Sequence, residues 1–170
     1  MMKGAWLDER RTYRYALWRR WDPAGKIMMV VGVNPSTADE TEDDPTMTRV
    51  IRFAMASGHG SVVMTNLYAW RETDRAWMFR CVRAGYDVVG PENDYALQKV
   101  ASAADTILVA WGSNAQSLER QKKVYGLLTK VRSNPLYCLG TTKDGSPRHP
   151  LYLKADTPLE VWLPPWTPSQ

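Results

Sequence analysis

Residues 27–39 read Ile27-Met28-Met29-Val30-Val31-Gly32-Val33-Asn34-Pro35-Ser36-Thr37-Ala38-Asp39. The run from Ile27 to Val31 is apolar on both faces, as a parallel strand covered by helices on each side must be. It then breaks into a tight polar turn that packs an amide, two hydroxyls and a carboxylate into Gly32–Asp39. A central strand ending in such a turn is where open parallel sheets gather their ligands, because the loops converge where strand order reverses.

Working outward, the same alternation repeats. Asp44-Pro45 reads as an N-cap followed by proline at the first helical position, and Met47, Val50, Ile51, Ala54 and Met55 fall on one helical face before the stop at Gly58. Ser61 to Leu67 is a second buried strand, Ala76 to Arg83 a helix ending near Gly85, and Pro91 to about Ala104 another helix. Thr106 to Trp111 is a third strand, Ser117 to Val131 a helix striped by Val124, Leu127, Leu128 and Val131, and Leu136 to Leu139 a fourth strand. Upstream, Tyr13 to Arg19 alternates bulky and charged residues, which predicts an edge strand with one wet face. The tail from Thr157 carries Pro158, Pro164, Pro165 and Pro168 and reads as an extended arm. The expected architecture is one α/β domain: a three-layer sandwich whose central, mostly parallel four-stranded sheet has helices on both faces, with an added N-terminal edge strand.

A chain of 170 residues suits one domain with a real core. The net charge of +4 and pI of about 9.1 permit an anionic partner without demanding one. Cys81 and Cys138 stand far apart with no second ligand pair, so they read as buried thiols rather than zinc or iron–sulfur ligands. With no long apolar run and no signal-like start, the expectation is a cytoplasmic monomer without membrane contact, cofactor or metal.

The strand-end loops Gly32–Asp39, Asn66–Trp70, Trp111–Gln116 and Gly140–Leu153 hold the residues capable of chemistry. Gly32-Val33-Asn34-Pro35-Ser36, Asn66 closing the second strand, Val109-Ala110-Trp111-Gly112-Ser113-Asn114-Ala115-Gln116 and Arg148-His149-Pro150 resemble the ordered landmarks of the uracil-DNA glycosylase superfamily. The wider pattern, including Asn34-Pro35-Ser36-Thr37-Ala38-Asp39 and His149-Pro150-Leu151-Tyr152-Leu153, closely resembles a family of short proteins known as a domain of unknown function, number sixteen forty-three, over about residues 13–153.

The glycosylase resemblance implies a glycosylase-like fold and DNA or a nucleotide as partner. It puts Asn34 beside the attacked sugar carbon to hold water, Asn66 on the base edge, and His149 where negative charge appears on the departing base. The family follows this histidine-proline pair with serine, whereas this chain has Leu151. Phe53, Tyr68 and Trp70 are the candidates to stack on the base, and Ser113, Lys143 and Arg148 to meet phosphate.

Breaking an N-glycosidic bond leaves a cation-like sugar and an anionic base, so the site needs a donor at the base oxygen and one positioned water. An amide at position 34 holds water but does not deprotonate it. A carboxylate has to help, and Asp39, Asp43 and Asp44 are near, with Asp39 closest in the turn.

Plainer roles compete. Asn34-Pro35 fits an ordinary turn, Asp43 and Asp44 fit helix capping, and His59 reads as structural. The acidic run Asp39-Glu40-Thr41-Glu42-Asp43-Asp44 opposes a phosphate backbone unless it is neutralised or turned away. Two other readings therefore stand beside a base-cleaving enzyme: a binding module with the same pocket and weak hydrolysis, and a metal-dependent phosphate-ester enzyme using the acidic run for magnesium.

Overall fold

Met28, Met29, Val30 and Val31 are all fully buried, and the strand they build, β3 (Lys26–Gly32), is the middle of the sheet. It runs parallel to β4 (His59–Asn66) on one side and to β5 (Thr106–Val109) on the other. The computed structural model describes residues 1–113, 115, 117–131 and 133–167. Asn114, Gln116 and Pro168, which the sequence reading includes in its loop and tail, lie outside the described residues.

The remaining strands are β1 (Met2–Leu7), β2 (Arg14–Arg20), β6 (Tyr137–Cys138) and β7 (Glu160–Val161), and the sheet order is β1-β2-β4-β3-β5-β6-β7. The expected sheet of four strands plus one edge strand is thus corrected, among the described residues, to seven strands of mixed sense. Only β4-β3-β5-β6 are parallel; β1, β2 and β7 are antiparallel additions at the two margins.

The correction at the N-terminal margin has a physical cause. Alternating charge along Tyr13–Arg19 signals a wet face only if the arginines reach water, and here Arg14 and Arg19 are both buried. β2 is therefore an interior strand between β1 and β4, and β1 takes the edge. At the other margin the proline-rich arm departs from the extended reading for two residues, where Val161 and Glu160 pair with Tyr137 and Cys138.

Side chains alternate across β3 and β5. Met29, Val31, Ile107 and Val109 meet α2 (Arg75–Arg83), α3 (Asn93–Ala103) and α4 (Leu118–Val131) in one core cluster. Met28, Val30, Leu108 and Ala110 meet α1 (Pro45–Ala56) in the other. Helices thus lie on both faces. α1 begins where Asp44 accepts the Met47 backbone N–H at 2.7 Å, with Pro45 at its first turn, as the sequence implies.

The connection from β3 through α1 reaches β4, and the connection from β4 through α2 and α3 crosses β3 to reach β5. Strand order reverses between β3 and β5, and beside that switch point a crevice opens over the ends of β3 and β4, at Gly32 and Asn66. Among the described residues no helix is long and apolar enough to cross a membrane.

Candidate functional site

That crevice is a cavity of about 190 Å³. Its floor is Gly32 and Asn66 from the strand ends, its roof Thr46 and Met47 from the first turn of α1, and one wall the loop carrying His149 and Leu151. Three residues from separate parts of the chain, Asn34, Asn66 and His149, meet in it. The volume is below the ~300–1,000 Å³ of pockets for drug-sized ligands, and suits one small ring.

Asn66 is 1% exposed, and among the described residues neither its side-chain nitrogen nor its oxygen has a partner. Buried amides are almost always satisfied, so a donor and an acceptor side by side on the floor are held for something else. Their backbone is fixed from behind. The Asn93 amide donates to the Asn66 and Leu67 carbonyls, each at 3.1 Å, and Arg120 Nε donates to the Leu67 carbonyl at 2.7 Å. Arg120 is itself tied to Asp94 at 2.7 Å. Neither Asn93 nor Arg120 stands out in the sequence, since a helical Asn or Arg is ordinarily solvated.

Gly32 is required by this amide. A Cβ there would lie 2.7 Å from the Met64 methyl and 2.9 Å from Asn66 Oδ1. The methyl end of Met64 can swing aside, whereas the amide can yield only by leaving the floor. We expect Gly32→Ala to cost about 1 kcal/mol in denaturant unfolding yet to abolish ligand binding by titration; unaltered binding would remove Asn66 from the recognition role.

Asn34 donates from Nδ2 to the Glu72 carbonyl at 2.6 Å and to the Pro35 carbonyl at 3.1 Å. These bonds orient the amide and leave Oδ1 as an acceptor suited to hold a water.

His149 accepts the Leu151 backbone N–H on Nδ1 at 3.2 Å, which leaves the proton of the neutral ring on Nε2. Burial pushes the imidazole below its ordinary value of 6.5, the charge of Arg75 pushes the same way, and Asp44 opposes them. The site therefore presents a neutral N–H donor. Its loop is pinned to the strand ends by Gly112 N–H to the Pro147 carbonyl at 2.8 Å and Arg148 N–H to the Gly140 carbonyl at 3.0 Å. Gly112 has φ +72°, a backbone that favours glycine.

Other expected residues lie elsewhere. Asp39 does not line the cavity: its carboxylate accepts the N–H groups of Glu42 and Thr41 and the Thr41 hydroxyl, which with Arg11 nearby pull it down to about 2. It shapes the loop instead. The carboxylates that do line the cavity are Asp44 and Glu72. Phe53 is buried in the α1 core, Tyr68 packs edge-on against Phe79, and Trp70 lies edge-on between Tyr13 and Tyr86; none lines the cavity. The apolar lining is Leu17, Val33, Ala38, Met47, Met64 and Leu151. Ser113 and Arg148 line an adjoining groove of about 490 Å³ that shares Arg75, His149 and Leu151 with the cavity. Lys143 lines neither. His59 is satisfied by Ser57 and Thr106 at 3.0 and 2.8 Å and is structural.

The acidic run is partly neutralised by the two N-terminal strands and the turn between them. Arg19 pairs with Asp43 at 2.7 Å, Arg11 grips Glu40 at 2.8 Å and approaches Asp39 at 3.6 Å, and Lys3 lies 3.8 Å from Asp43. Among the described residues no group of three or more His, Cys, Asp or Glu is arranged to hold a metal ion.

The chain matches a family described as "Protein of unknown function (DUF1643)" over residues 14–151. Neither a curated protein nor a solved structure matches it.

Proposed function

The chain belongs to the DUF1643 family, whose description names no activity, and from the cavity itself we propose that it is an N-glycosidic-bond hydrolase of the DNA-glycosylase type. The observation that carries this reading is the unpartnered amide of Asn66 facing the same small cavity as the Nε2–H donor of His149. One donor and one acceptor side by side match the imide edge of a uracil-like base, with Asn66 Oδ1 accepting the ring N–H and Nδ2 donating to the neighbouring carbonyl.

The ring packs on Met47 and Met64, whose polarisable sulfurs take the place of the expected aromatic face. Sugar and phosphate leave through the adjoining groove, toward Ser113 and Arg148. A water held on Asn34 Oδ1 gives its proton to Asp44 as its oxygen attacks C1′. The C1′–N bond breaks, its electron pair moves onto the base, and His149 Nε2–H donates to the base oxygen that takes up the charge. The base then takes up a proton and leaves.

The commitment of the acidic run to Arg11, Lys3, Arg19 and backbone N–H groups supports this reading in two ways. It weakens the repulsion of a phosphate backbone, and it leaves few carboxylates for magnesium. A second reading, a base-binding module without efficient hydrolysis, is favoured by one observation: among the described residues no Phe, Tyr or Trp lines the cavity.

The deciding experiment is an abasic-site assay on oligonucleotides carrying uracil, hypoxanthine, mismatched thymine or modified pyrimidines, with and without chelator. We expect abasic sites at one class of base and indifference to chelator. No cleavage together with measurable oligonucleotide or nucleotide binding would select the binding module, and cleavage abolished by chelator would select the metal-dependent enzyme.

A further inference from the structure

Three buried arginines differ in one respect. Arg19 pairs with Asp43 and Arg120 with Asp94, whereas Arg14, only 3% exposed, forms no ion pair with any described carboxylate. Its Nη1 donates to the Ala38 carbonyl at 2.6 Å, and among the described residues its Nε has no partner. Burial lowers its pKa to about 10, which leaves it charged at neutral pH. A buried cation with no ion-paired carboxylate is costly to the fold, and the more distant charges of Asp44 and Asp39 offset the burial only in part. Arg14 lines the cavity next to Leu17 and Asp44, so a ligand can supply that charge.

We propose that the ligand of this cavity carries an anionic group which Arg14 binds, so that the preferred base is a pyrimidine bearing a carboxylate rather than a neutral one. The pyrimidine half of this statement rests on the proposed base-binding function; the anionic half rests on Arg14 alone. The charged side chains lining the cavity are Arg14, Arg75, Asp44 and Glu72, two of each sign. Asp44 accepts the Met47 N–H and Glu72 accepts the Asp74 N–H at 2.8 Å, so both carboxylates are partly satisfied by backbone donors. A singly charged ligand therefore meets a balanced wall and one guanidinium with a free donor.

The test is calorimetric titration of the whole chain with uracil, 5-carboxyuracil and benzoate, the last offering a carboxylate without a base edge. The wild-type protein should bind 5-carboxyuracil about tenfold or more tighter than uracil, because hydrogen bonds to charged groups are the stronger class. Arg14→Met should lose that preference and Arg14→Lys should keep part of it. Arg14→Met should melt no lower than wild type, since an apolar residue in place of an unpaired buried charge is tolerated.

Equal affinity for uracil and 5-carboxyuracil in the wild-type protein would overturn the inference while sparing the base-binding reading. Retention of the preference in Arg14→Met would likewise overturn it. Benzoate bound through Arg14 with neither pyrimidine bound would uphold the anion site and overturn the base reading. No binding of any of the three would overturn both.

Discussion

Asp44→Asn is expected to slow base release by about 10²–10⁴-fold, the usual worth of a general base, in a protein that stays folded. Asp44 has two duties in the structure. It caps α1 through the Met47 N–H, and it lines the same cavity as Asn34, where the proposed reaction needs a base. Asparagine caps a helix about as well as aspartate, so the substitution removes the base and keeps the cap. Asp44→Ala removes both, and should add a loss of about 1 kcal/mol in unfolding free energy. Steady-state rates and denaturant midpoints on the two variants separate the duties. If Asp44→Asn retains wild-type rates while Asp44→Ala is merely less stable, Asp44 is a cap and the water is activated by another group.

His149→Ala should lower the rate about 10²–10³-fold, as removal of one preorganised donor does, with little change in ligand affinity because the charge it meets develops only as the bond breaks. The pH profile carries the sign of this argument. Burial and Arg75 hold the imidazole below 6.5, so it is neutral through the physiological range and protonates only on the acid side. Protonation would set a proton on Nδ1 against the Leu151 N–H. Activity should therefore fall on an acid limb whose midpoint lies below 6.5, and the His149 contribution to that limb should vanish in His149→Ala.

Stability follows the same direction. The unfolded chain binds this proton first as pH falls, so the contribution is complete above the ordinary value and is lost as pH drops through the folded one. Activity lost as pH rises through the imidazole's range, rather than as it falls, would mean that His149 acts in the charged form.

Much of this was legible before any coordinates. The apolar run Ile27–Val31 identifies the central strand because burial on both faces leaves no room for alternation, and Asp44-Pro45 identifies the start of α1 because a cap and a proline have few other uses together. Asn34, Asn66 and His149 are legible as a set because each closes or follows a buried strand, and strand ends converge.

The rest depended on neighbours that one segment cannot report. Whether the arginines of β2 face water is decided by β1 and the acidic run, which cover them. Asp39 is nearest to Asn34 along the chain, yet its own turn folds the carboxylate back onto Thr41 and Glu42, and Asp44, five residues further on, reaches the cavity. The aromatic candidates failed for a similar reason. Tyr68 follows Asn66 by two residues but faces α2, and Trp70 pairs with Tyr13 across the sheet margin.

In the proposed function the Asn66 amide reads one small ring while the His149 Nε2–H contacts the same ring. Titration of ¹⁵N-labelled protein with free pyrimidines, following the Asn66 side-chain NH₂ pair and the His149 imidazole, tests this. The account predicts that both sets of signals move together and saturate at one molecule per chain, with Asn93 and Arg120 little changed. Saturable binding that leaves the Asn66 amide unmoved, with shifts confined to the groove at Ser113 and Arg148, would contradict it.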